Sequence, residues 1–350
     1  MRERDRARVD NWSYLTYQFI DPSAALEAFL HRRHVLLDTD TGVDDGMAVI
    51  YALCRPELDI VGVTTVFGNV SVDQVTRNSL LIQERLGRTD VPVARGAAKG
   101  LLHNPVFSED IHGRDGIGEC GLLPRGTEPD SRTAVQLILE LADEYPGELD
   151  VIALGPLTNI AIALLVDPTL TERIRQVVWM GGAMAWPGNV TAVAEADVAH
   201  DPEGAQVVLE SGVPVTLVPL DVTDTTLLRE PELDRIRSSS SASAELVAAF
   251  APFYMQVYGK RLGEYACAMH SPLTVGILAK PELVRRTGHY PTAVELAPGL
   301  SRGATVVDRR HRAPEELLAA HTAEIIEDVD RDGFIADFVA TITGASGADR

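Results

Sequence analysis

From His34 onward the chain alternates short, continuously apolar runs with stretches whose apolar residues recur at helical spacing. The apolar runs are Val35–Leu37, Ile60–Val66, Val91–Ala94, Val151–Leu154, Val177–Met180 and Val215–Leu220. They are rich in Val, Ile and Leu and lack polar alternation, as strands buried on both faces of a parallel sheet do. Between them, Val72, Val75, Leu81, Ile82 and Leu86 predict one helix. Val135, Ile138, Leu139 and Leu141, after a cap-like Asp130-Ser131, predict another. SSSSAS at 238–243 reads as a loop before a further helix. This alternation predicts an α/β fold: an open, mostly parallel, doubly wound sheet flanked by helices. Ligands in such sheets lie outside the carboxyl ends of the strands. Near the C-terminus, Thr292–Leu296 and Ala304–Val307 flank APGLSRG as an antiparallel hairpin, and a last helix is predicted over Arg331–Ile342. Residues 1–33 have another texture, in which Arg alternates with acids and a helix is predicted at 22–31. They read as an N-terminal extension to a single domain at 34–345.

Composition narrows the class. The chain has 350 residues, 45% of them apolar and 23% charged, which is a globular balance. Its formal charge of −20 repels phosphate backbones and anionic bilayers, so neither a nucleic-acid polymer nor a membrane is the expected partner. The three cysteines, Cys54, Cys120 and Cys267, form no CxxC pair and read as free thiols of a reducing compartment. No apolar run approaches the ~18 residues of a membrane span. A cytoplasmic protein acting on a small molecule is the expectation.

The chemistry concentrates in VLLDTDTGVDDGMAVI at 35–50. Asp38, Asp40, Asp44 and Asp45 fall where a buried strand gives way to a helix, with Gly42 at the turn. Carboxylates this close raise one another's pKa unless a cation or hydrogen-bond donors compensate. Ca²⁺, which takes six to eight oxygens in irregular geometry, suits such a loop. Helix capping alone needs one or two acids. LLDTDTG also fits, superficially, the DxDxT loop of haloacid-dehalogenase-type phosphatases. Those enzymes need a downstream Lys, and Lys260 is the only lysine between 151 and 260.

The same segment resembles the DTDPGxDDxxAI fingerprint of the inosine–uridine-preferring nucleoside hydrolase family. VTTVFGNVSVDQVTRNSL, VPVARGAAKGLL, IHGRDGIG, ALGPLTNIAIAL, WMGGAMAWPGNVTAVAE, PLDVT and SRGATVVD resemble further family segments, in the family's order. The resemblance implies hydrolysis of the N-glycosidic bond of ribonucleosides to ribose and free base, by a water that Ca²⁺ holds and Asp40 activates. It implies Asp40 and Asp45 as metal ligands, the Thr158 carbonyl as a third, and Asp38 as a support behind them. It assigns the ribose to Asp44, Asn69, Asn189, Glu195 and Asp197. His112 and His270 would serve the departing base, with Tyr254 and Tyr258 around it, since an imidazole near its ordinary pKa can protonate a leaving group. The segments 103–119 and 254–268 would be the loops around the base. The other histidines, including His103, His200 and His289, read as structural or exposed. A homodimer or homotetramer is also implied.

The chain departs from the family pattern at three places. Ser271 stands in HSPL where the family has the metal-ligand Asp of HDPL, and a neutral hydroxyl is a poorer donor to Ca²⁺. Asp197 stands in AEADVAHDP for the usual Asn of AExNxxxDP, adding a charge near the sugar. Thr41 replaces the usual Pro. These departures leave a second reading open, a catalytically weak riboside-binding relative.

Overall fold

The computed structural model describes residues 32–310 and 322–344. The extension with its helix at 22–31 lies, but for Arg32 and Arg33, outside the described residues, and Arg33 is the first residue of a strand. In chain order the first elements are β1 (Arg33–Thr39), α1 (Val43–Leu53), β2 (Leu58–Thr65), α2 (Val72–Leu86), β3 (Val93–Arg95), α3 (Glu109–His112) and α4 (Ala134–Glu144). The middle of the chain gives β4 (Leu149–Leu154), α5 (Thr158–Val166), β5 (Ile174–Met180), α6 (Ala196–His200), α7 (Pro202–Glu210), β6 (Val215–Val218) and α8 (Leu220–Thr223). Then follow β7 (Leu227–Arg229), α9 (Glu230–Arg237), α10 (Ala242–Leu262), β8 (Ala266–Ala268) and α11 (His270–Ala279). The last elements are β9 (Val284–Val294), β10 (Thr305–Val307), β11 (Thr322–Val329) and α12 (Arg331–Thr343).

Nine strands form one sheet in the order β10-β9-β11-β6-β5-β4-β1-β2-β3. From β11 to β3 neighbouring strands are parallel; β9 and β10 are antiparallel to their neighbours. Alternate side chains along each parallel strand enter two different cores. Val35, Leu37, Ile152, Val178 and Val218 pack with α1, α10, α11 and α12. Leu36, Val151, Val177, Trp179 and Leu217 pack with α4, α5 and α7. Burial on both faces is why these strands carry no polar alternation.

Several predicted boundaries move. The cap of α4 is Thr133, which accepts from the Gln136 N–H, while Gln136 accepts from the Thr133 N–H. Asp130 instead binds the Arg132 guanidinium. The run Val215–Leu220 divides, because its last residue starts α8. The segment expected as a loop at 254–268 is helical to Leu262, as the end of α10. The hairpin at 292–307 is present, with Val294 opposite Thr305. The sequence reading missed β11, which lies between β6 and β9 and carries the sheet across to its antiparallel edge.

Sheet order places the site. The chain leaves β1 toward β2 and β3, then returns to β1's other side with β4, β5 and β6. The reversal opens a crevice at the carboxyl ends of β1 and β4, the position where doubly wound sheets bind ligands.

Candidate active site

Asp38 lies in the last turn of the pleat of β1, Asp40 just beyond it, and Asp44 and Asp45 in the first turn of α1. All four are buried. Asp45 Oδ2 accepts from the Gly42 N–H and from Asn69 Nδ2, both at 2.8 Å. Its Oδ1 accepts from the Ser271 hydroxyl at 2.5 Å. Asp40 Oδ2 accepts from the Asn69 N–H at 2.8 Å. That approach needs Gly68, where a Cβ would stand 2.0 Å from Asp40 Oδ2. Gly42 is similarly confined, since a Cβ there would stand 2.5 Å from both Asn69 Nδ2 and His112 Nδ1. Asp38 sits behind this group, where its Oδ1 accepts from Thr64 Oγ1 at 2.6 Å and from Asn159 Nδ2 at 2.7 Å.

The electrostatics are those of a cation site. Asp40 Oδ1 and Asp38 Oδ2 are buried with no hydrogen-bond partner among the described residues. Burial pushes Asp38 up to about 6, against its bonds from Asn159 and Thr64. Burial and the neighbouring Asp45 push Asp44 up to about 7. Asp40 is raised well above the usual carboxylate range, first by burial and then by Asp45 and Asp197. Asp197 is raised as strongly by burial, Glu195, Asp45 and Asp44. A divalent cation among these oxygens would offset both the burial and the mutual repulsion by stabilising the ionised carboxylates, so the donor set fits one.

The cluster forms the floor of a cavity of about 330 Å³. Asp40, Asp44, Asp45, Asn69, Asn189, Glu195, Asp197 and Ser271 line its polar part; His112, Tyr254, Tyr258 and His270 line the rest, with Ile111, Met180 and Val257. Fourteen sites named from the sequence can therefore be compared with one cavity, and two of them do not reach its wall: Thr158 and Asp38. Thr158 is buried at the start of α5 and donates its hydroxyl to Asp201 Oδ2 at 2.5 Å. Glu195 caps α6, accepting from the Gly182, Asp197 and Val198 N–H groups.

Part of the cavity wall is a chain of hydroxyl and imidazole groups. His270 opens α11; its Nδ1 lies 2.8 Å from Thr223 Oγ1 and its Nε2 2.8 Å from the Tyr258 hydroxyl. Tyr254 donates to Tyr258 at 3.2 Å from one turn earlier on α10. Burial lowers the pKa of His270, opposed by Asp44 and Asp224. Burial pushes His112 down to about 3, and its Nδ1 accepts from the Val43 N–H at 3.0 Å. His112 is therefore neutral at neutral pH with its proton on Nε2, which makes it a hydrogen-bond donor and not a store of acid.

Two residues belong to this region that the sequence reading gave no role there: Arg261, which it did not name, and His200, which it read as structural or exposed. Arg261 lines the cavity mouth, bonded to Asp224 Oδ1 at 2.5 Å, with its guanidinium 4.8 Å from the Tyr258 ring centre. His200 is buried with Asp40 and Asp197, one potential ligand atom from each lying within 4.8 Å of the others, so the three could hold a metal ion. The signal was present in the sequence: positions 197 and 200, three apart on a helix, share a face.

The family model described as "Inosine-uridine preferring nucleoside hydrolase" matches residues 35–336. "Uridine nucleosidase 1" of Arabidopsis thaliana is 37% identical over 250 residues, covering 71% of this chain and 74% of that protein. "Pyrimidine-specific ribonucleoside hydrolase RihA" of Citrobacter koseri is 34% identical over 302 residues, covering 86% and 95%. The solved structure titled "Purine-Preferring Ribonucleoside Hydrolase from Gardnerella vaginalis" superposes with a TM-score of 0.83 at 33% identity, covering 89% of this chain and 98% of that one. A family match across the whole sheet, together with a carboxylate-floored cavity at its switch point, leaves one assignment: this chain belongs to the inosine-uridine preferring nucleoside hydrolase family.

Proposed function

We propose that this protein hydrolyses the N-glycosidic bond of ribonucleosides to ribose and free base, with Ca²⁺ as its cation. The observation that carries the reading is the buried Asp40 Oδ1, without a hydrogen-bond partner among the described residues, in a cavity lined by carboxylates and by aromatic rings. Asp40, Asp45 and the Thr158 carbonyl would hold the ion, with Ser271 beside Asp45. Such an ion, when bound, lowers the pKa of a coordinated water.

The residues divide the remaining work. Asp40 accepts the proton that the attacking water gives up as its oxygen bonds to the anomeric carbon. Asp44, Asn69, Asn189, Glu195 and Asp197 offer acceptors and amide donors to the ribose hydroxyls and fix the sugar over Asp40. The bond from the anomeric carbon to the base nitrogen breaks, and its electron pair leaves with the base. Tyr258, hydrogen-bonded to Tyr254 and His270, would deliver a proton to that base, and His270 would replace it through Nε2. His112 Nε2–H adds a hydrogen bond to the same group. The phosphatase alternative lacks its lysine, because no lysine among the described residues lines the cavity.

Ribose release decides the matter. Inosine, uridine and a ribosyl phenol analogue are incubated with the protein after chelation and after Ca²⁺ addition. Ca²⁺-dependent ribose release supports the proposal. Binding of ribosides without release under both conditions establishes instead the binding-protein reading that Ser271 raised. The relatives named above divide between pyrimidine and purine nucleosides, so both substrates are needed. The free Cys54, Cys120 and Cys267 agree with the proposed cytoplasmic setting. No helix among the described residues is long and apolar enough to cross a membrane. A homodimer or homotetramer completes the proposal, and light scattering in solution tests it.

A further inference from the structure

The carboxylate missing at position 271 is matched by one gained at position 197, on a different element and beside a histidine. Asp40 is 1% exposed, Asp197 8% and His200 8%. Two of their polar atoms, Asp40 Oδ1 and His200 Nδ1, are buried with no hydrogen-bond partner among the described residues. The His200 ring bonds the Val106 backbone in the sense that favours its protonated form, so the ring donates there. The nitrogen left over, Nδ1, then carries a lone pair. A histidine that donates one N–H to a backbone carbonyl and keeps its other nitrogen bare has the arrangement of a metal ligand. Burial holds the imidazole neutral, pushing it down to about 4, which is the protonation state that ligation requires.

We propose that Asp40, Asp197 and His200 form an oxygen–oxygen–nitrogen site for a divalent transition ion of the Zn²⁺, Co²⁺ or Mn²⁺ class, adjoining the Asp40–Asp45 position and sharing Asp40 with it. The donor chemistry selects the ion. Ca²⁺ takes oxygen ligands, whereas imidazole suits first-row transition ions. Ligand atoms about 2.1 Å from one ion stand at most about 4.2 Å apart, so a group within 4.8 Å closes on it by small side-chain rotations. Asp40 and Asp197 line the cavity while His200 lies behind it, so three protein ligands leave an open position on the substrate side. The inference shares Asp40 and Asp197 with the hydrolase reading and does not otherwise rest on it.

The test is a Co²⁺ titration of the chelated full-length protein, followed by the visible bands of the bound ion, with Ca²⁺ binding measured separately by calorimetry. We expect Co²⁺ to be displaced by Zn²⁺ and not by an equal concentration of Ca²⁺. His200→Ala should weaken Co²⁺ about ten-fold or more and leave Ca²⁺ affinity within about two-fold, whereas Asp197→Asn, which also removes a charge that acts on Asp40, should weaken both ions. His200→Gln conserves most of the side-chain volume and guards against misfolding of the alanine variant. On the wild-type protein, Cu²⁺ resonance spectra should show coupling to a nitrogen. Wild-type Co²⁺ affinity and spectrum in both His200 variants, or no nitrogen coupling, overturns the inference. Ca²⁺-dependent ribose release with His200-independent Co²⁺ binding would leave the hydrolase reading standing and remove this one. Co²⁺ binding that depends on His200, without ribose release in any ion, would do the reverse.

Discussion

Ser271→Asp restores the carboxylate that the family carries, and its two opposite effects can be worked from the structure. Ser271 is 2% exposed, and its hydroxyl donates to Asp45 Oδ1 at 2.5 Å. The substitution removes that donor and puts an acid in its place beside Asp45 and Asp44. Two unit charges about 4 Å apart repel by about 4 kcal/mol at the effective dielectric of ~20 that suits protein sites. The chelated variant escapes part of that cost by taking up a proton, so we expect it to lose about 2 kcal/mol of stability. With a divalent cation between the carboxylates the sign reverses. If only a third of the same term survives desolvation, Ca²⁺ binding gains about 1.4 kcal/mol, or roughly ten-fold in affinity. Calorimetric titration with Ca²⁺ and thermal midpoints with and without chelator read both effects. A variant that is less stable when chelated and binds Ca²⁺ more tightly confirms the reasoning. Weaker or unchanged Ca²⁺ binding refutes it and removes Ser271 from the ion's surroundings.

The other predictions concern the carboxylates, their support and the leaving-group wall. Asp38 and Asp44 have pKa values raised by burial from 3.8 to about 6 and about 7, so their ionisation opposes folding. The stability they contribute is full below pH 3.8 and lost as pH rises through 6 to 7. Added cation should therefore raise the melting midpoint of the chelated protein more at pH 8 than at pH 5, and an equal rise at the two, measured by calorimetry, would contradict the raised values. Asn159 is buried and makes three hydrogen bonds, from Nδ2 to Asp38 and to the Thr65 carbonyl and to Oδ1 from the Ala97 N–H. Asn159→Ala should cost about 3 kcal/mol in urea unfolding, because it leaves three buried partners unpaired. Tyr258→Phe keeps the ring and removes the hydroxyl between Tyr254 and His270. It should lower kcat about 10²-fold for natural nucleosides and far less for a ribosyl phenol whose leaving group needs no proton; an equal loss on both would deny Tyr258 its role at the base.

The sequence determined what is local. Unbroken Val, Ile and Leu runs fixed the parallel strands, since a strand covered on both faces has no wet side on which to place polar residues. The four aspartates between β1 and α1 marked the site, because their crowding is set by chain connectivity alone. Even the pair at 197 and 200 was legible in its spacing, although not in its purpose. Tertiary structure decided which distant groups meet. That Ser271 donates to Asp45 joins residues 226 positions apart, through α11 packing on α1. That Asp197 and His200 lie with Asp40 depends on β4 and β5 returning beside β1, which no window of the sequence records. β11 stayed hidden for a similar reason: its place between β6 and β9 is fixed by pairing with strands earlier in the chain. Hydrophobic periodicity reports how each segment meets its neighbours, and sheet order decides which neighbours those are.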